Sequence, residues 1–90
     1  MILPTIHLNG TSGQTLLASY GDARYQVHLG VIALEHDLEF NQRDYYPQGP
    51  ESWKQAQAEM AARLQKLRDV EAELLEIQEH ILKIEEMRKR

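Results

Sequence analysis

Between residues 16 and 38 apolar side chains return every three or four positions, at Leu16, Tyr20, Ala23, Val27, Val31, Leu34 and Leu38. That is the period of one face of an α-helix. Thr11, with Gln14 three residues later, has the spacing of a capping box just ahead of this run. The pattern predicts a first helix over residues 12–41. A second apolar line through Leu17, Leu29, Ile32 and Phe40 widens the face, as in a helix packed inside an assembly rather than at its rim. Gly21 and Gly30 interrupt it, each at a cost of about 1 kcal/mol relative to alanine. A bend, or the close approach of a ligand or another backbone, is expected there.

A second helix is predicted over 50–87, opened by Gly49-Pro50-Glu51, since proline is preorganised for the first helical turn and glutamate complements the helix dipole. Met60, Leu67, Leu74 and Ile81 hold one heptad position, and Val70, Ile77 and Ile84 hold the position three later. Arg63 breaks this seam, and Leu64, Leu75 and Leu82 lie beside it. Residues 1–10 read as an extended arm, because Pro4 disfavours helix and no second strand is present to pair with it. The expected fold is all-α. One domain, 1–90, consists of the N-terminal extended arm and an antiparallel two-helix hairpin closed by a turn at 43–50, assembling into an oligomeric helical bundle.

Composition supports the assembly. A chain of 90 residues hides only about 60–65% of its unfolded surface, and with no cysteine it has no disulfide or thiolate metal site to compensate. Self-association is the remaining route, so a homo-oligomer is expected. The net charge of −4 opposes binding of long nucleic acid, which depends on cations neutralising phosphates. A few phosphate oxygens on a small ligand need only one or two arginines and some helix N-terminal amides. Met1 to Asn9 lacks the features of a signal peptide, and no stretch reaches the roughly 20 apolar residues of a membrane span. A cytoplasmic protein without membrane contact is the expectation.

Recognition chemistry concentrates in Arg43-Asp44-Tyr45-Tyr46-Pro47-Gln48-Gly49-Pro50, with Trp53 three residues beyond. Tyrosine, tryptophan and arginine supply rigid amphipathic contact area; alternatively, Tyr45 and Tyr46 simply cover the end of a helical core. The string His7-Leu8-Asn9-Gly10-Thr11-Ser12-Gly13 sets an amide, hydroxyls and glycines ahead of a helix, where backbone amides can face an anion. Helix capping accounts for Thr11 and Ser12 equally well. Glu35-His36-Asp37-Leu38-Glu39 lacks the Glu-x-x-His spacing of bundle di-metal sites, and Glu76 and His80 stand four apart among surface-type residues. No metal, cofactor or catalytic constellation is expected, and the chain does not read as an enzyme. A first helix of about 30 residues is about 45 Å long. A site using both strings therefore requires a bent helix or two neighbouring subunits.

IHLNGTS at 6–12 and NQRDYYPQGPESW at 41–53 resemble strings in short helical proteins encoded by bacteriophages. In size, acidity and helical content the chain is also similar to phage sponges of the anti-CBASS and anti-Thoeris type. That second likeness is one of architecture. It implies a non-catalytic protein sequestering a nucleotide-derived immune signal, a cyclic nucleotide or an ADP-ribose derivative, in pockets between subunits. Arg43, Tyr45, Tyr46, Trp53, His7, Asn9, Thr11 and Ser12 are then the expected ligand-binding residues. The alternative is a phage structural or adaptor protein that grips another protein through the aromatic turn.

Overall fold

The structure, a computed structural model, describes residues 1–89. Helix α1 spans Gly13–Ile32 and helix α2 spans Pro50–Arg88. They form an antiparallel hairpin measuring 63 × 22 × 21 Å, close to the roughly 58 Å length of a 39-residue helix. No strand occurs among the described residues. The rod has two poles. At one, the arm meets the end of α2; at the other, the connection between the helices wraps the start of α2.

Helix α1 starts one residue later than Thr11 predicts. Ser12 is the cap: its Oγ accepts from the Thr15 amide at 3.1 Å and donates to the Thr15 hydroxyl at 2.9 Å. The helix also ends earlier than residue 41. A single π turn, Ala33–Asp37, follows Ile32 and closes with the Leu38 amide on the Ala33 carbonyl at 2.8 Å. Leu38 is then extended and exposed. Leaving the helix here frees Phe40 to cross to the second helix and pack on Trp53; the apolar period runs on through Leu38, so its spacing does not mark the exit. Gly30 produces neither a break nor a close approach: α1 continues through it, and a Cβ there would meet Leu67 Cδ1 at an ordinary 3.8 Å.

The seam is half as expected. Met60, Leu67, Leu74 and Ile81 are half-buried or buried, and Ile81 is fully enclosed. Beside the expected companion line, a second one four residues on also turns inward, and after Leu64 it is polar. Glu71 Oε1 lies 2.9 Å from His28 Nδ1, Gln78 Oε1 accepts from Arg24 Nε at 2.6 Å, and the Glu85 carboxylate lies against Gly13. Arg68 pairs with Glu35 one turn beyond. Polar side chains on α1 at Arg24 and His28 select polar partners on α2. Val70 is left 42% exposed, while Ile77 and Ile84 are half-buried.

The arm is tied down by its backbone. His80 Nε2–H donates to the Pro4 carbonyl at 3.0 Å and Arg88 Nη2 donates to the Ile6 carbonyl at 3.0 Å. His80, Ile84 and Arg88 stand four apart on one face, so the arm follows the Ile84 side of α2. His80 is therefore an anchor and not a surface residue. Among the described residues only Val31, Ala56 and Ile81 are buried hydrophobics. Among the described residues no helix is long and apolar enough to cross a membrane.

Candidate functional site

At the turn pole two short 3-10 turns, Gln42–Asp44 and Tyr46–Gln48, connect the π turn to α2. Their backbone bonds run three residues back, from Tyr45 to Gln42 at 2.9 Å and from Gln48 to Tyr45 at 3.0 Å. Gly49 then takes φ 109°, a conformation that a side chain disfavours, and Pro50 opens α2 directly behind it. Ser52 Oγ donates to the Gln48 carbonyl at 3.2 Å, fixing the second 3-10 turn to the helix.

Three rings knit this pole together. Phe40 lies 5.7 Å from Tyr45 in an edge-on arrangement and 5.0 Å from Trp53, and Tyr45 lies 5.6 Å from Trp53. Such pairs add about 0.5–1.5 kcal/mol each beyond their burial. Tyr45 and Trp53 thus serve the packing of the turn first, each keeping part of its surface in solvent. Tyr46 is different. It is 65% exposed, and Arg43 is exposed too, its guanidinium without a carboxylate partner among the described residues. At the same pole a hollow of about 190 Å³ is lined by Tyr45, Gln48, Ser52, Gln55, Ala56 and Glu59. Amide and hydroxyl groups on its walls can hydrogen-bond a ligand edge.

Compared with known proteins, the chain matches no family model, no curated protein and no solved structure.

The other expected residues lie at the arm pole. His7 and Ser12 line a hollow of about 460 Å³ together with Ile6, Gln14, Glu85 and Arg88; Asn9 and Thr11 are exposed nearby. Glu85 decides the character of this hollow. Its carboxylate already occupies the start of α1 and leaves no room for a Cβ on Gly13. Its Oε1 oxygen is buried without a hydrogen-bond partner, with Arg88 Nη1 4.0 Å away. A phosphate entering here meets a carboxylate where the helix dipole is most favourable to anions. Within one chain the two expected strings are separated by α1, about 30 Å of helix. The chain does not gather them.

Phe40, Gln48, Ser52, Gln55 and Glu85 are the site neighbours that sequence reasoning missed. Phe40 is the only phenylalanine, and its distance from the turn tyrosines was the available signal. Glu85 carried none, because its role depends on a contact 72 residues away along the chain. Among the described residues no three histidine, aspartate or glutamate side chains come together as a metal site.

Proposed function

We propose that the chain is a non-catalytic recognition protein whose turn pole binds and sequesters a planar, anionic ligand of nucleotide type. The carrying observation is the contrast at this pole: three rings are locked into a rigid base while Tyr46 and Arg43 are left free in solvent. An exposed ring stacks on a base with little regard to its identity. An unpaired guanidinium forms charge-assisted bonds to phosphate. The likeness to phage sponges supplies the ligand class, a cyclic nucleotide or an ADP-ribose derivative acting as a bacterial immune signal, and with it an anti-defence role.

Calorimetric titration with cyclic dinucleotides and with ADP-ribose tests this reading. Binding by the unaltered chain, lost in Arg43→Ala and Tyr46→Ala at unchanged melting temperature, supports it. No heat with either ligand class, or an Arg43→Ala variant that melts markedly lower without ligand, rejects it. The structural or adaptor reading has its own support in exposed Leu38 and Tyr46 near the turn, which are suited to a protein surface. It predicts that Tyr46→Ala abolishes capture of a phage protein and leaves nucleotide titrations flat throughout.

A further inference from the structure

Helix α1 is apolar on two opposite faces, and α2 covers only one. The half-buried and buried residues Leu16, Tyr20, Val27, Val31 and Leu34 face α2. Tyr25, Leu29 and Ile32, four and three residues apart, form a stripe on the far side. They are 59%, 39% and 36% exposed. A surface helix keeps such a face polar; a helix apolar on both sides belongs between two packed layers.

The elongated chain has surface to give to a partner. A compact monomer of 10.4 kDa is expected to expose about 5,400 Å², whereas this chain exposes 6949 Å². The excess of about 1,500 Å² per chain is ample for a stable interface, which hides about 800 Å² on each partner. Polar groups that fit a copy of the stripe flank it. Asp22 stands seven residues before Leu29 in α1, and His36 seven after it in the π turn that continues the helix, both exposed. If two copies of α1 cross antiparallel at Leu29, Asp22 of each chain faces His36 of the other, and Tyr25 meets Ile32. Parallel pairing sets Asp22 against Asp22 and His36 against His36.

We infer that two copies of this chain pair through the outer face of α1, antiparallel, about a two-fold axis near Leu29. The pairing is isologous and closes on itself. It does not depend on what the turn pole binds. Its consequence for that pole is direct: the start of α1 in one chain reaches past the end of α1 in the other, bringing the arm of each copy toward its partner's aromatic turn.

The absence of cysteine makes a clean test possible. Oxidised Leu29→Cys is expected to form a disulfide-linked dimer. A mixture of Asp22→Cys and His36→Cys chains is expected to cross-link as the heterodimer, and neither variant as a homodimer. Sedimentation should find twice the chain mass for the unaltered protein and at least about a tenfold weaker dimer for Leu29→Lys. Asp22→Cys and His36→Cys homodimers without the heterodimer overturn the antiparallel arrangement. A folded monomer at about 100 µM, a concentration that should saturate a stable pair, or equal cross-linking by a Leu75→Cys control on exposed α2 surface, overturns the interface. Circular dichroism of the oxidised Leu29→Cys dimer guards against misfolding, because a correct pair retains its helix signal and melts no lower than the unaltered protein.

Discussion

Single residues decide where the helices begin. Ser12 and Thr11 are chemically equivalent as caps, and the spacing to Gln14 favours Thr11. The structure instead gives the role to Ser12, whose hydroxyl both accepts from and donates to Thr15. Ser12→Ala should therefore lower stability by about 1 kcal/mol, read as a lower melting temperature, while Thr11→Ala leaves it nearly unchanged. Equal losses in the two variants would show the cap to be shared. The capping residue was legible only to within one position, because adjacent hydroxyls satisfy the same pattern and the backbone path selects between them. The turn residues Tyr45 and Trp53 show the same limit in another form. Their concentration was plain in the sequence; that Phe40 would occupy one side of each ring was not.

At the scale of elements, α1 runs unbroken through Gly30 with ordinary space beside it. Gly30→Ala should stabilise the hairpin by about 0.5–1 kcal/mol, since alanine removes the entropic cost of glycine in a helix. A destabilised variant would mean that something absent from the single chain approaches closely at that position. Helix existence, order and the α2 boundaries follow from periodicity and from Pro50, so they were readable. The exit of α1 was not, because Leu38 continues the apolar rhythm while the backbone has already turned away at the π turn. The second line of the seam was readable only in part, for a related reason: Ile77 and Ile84 are half-buried as expected, but Val70 is exposed and polar residues share the interface. Apolar spacing nominates Val70, Ile77 and Ile84, but Arg24 and His28 on the facing helix draw Gln78 and Glu71 inward.

The whole molecule is a rod with chemistry at both ends, and α1 separates the two expected groups of ligand residues. If a ligand uses both, it does so between chains. Asn9→Ala and Arg43→Ala proteins, each inactive alone, should regain part of the binding when unfolded and refolded together, because some mixed pairs then carry one intact composite site. A mixture that forms mixed dimers yet stays inactive confines binding to the turn pole. The bonds from His80 to Pro4 and from Arg88 to Ile6 also fix how the rod responds to force. Tension applied between the arm and the end of α2 pulls at a single pole, so it peels the helices apart one contact layer after another. Tension applied between the arm and the turn runs along the rod and loads all the layers at once. The same hairpin is mechanically soft in the first direction and stiff in the second.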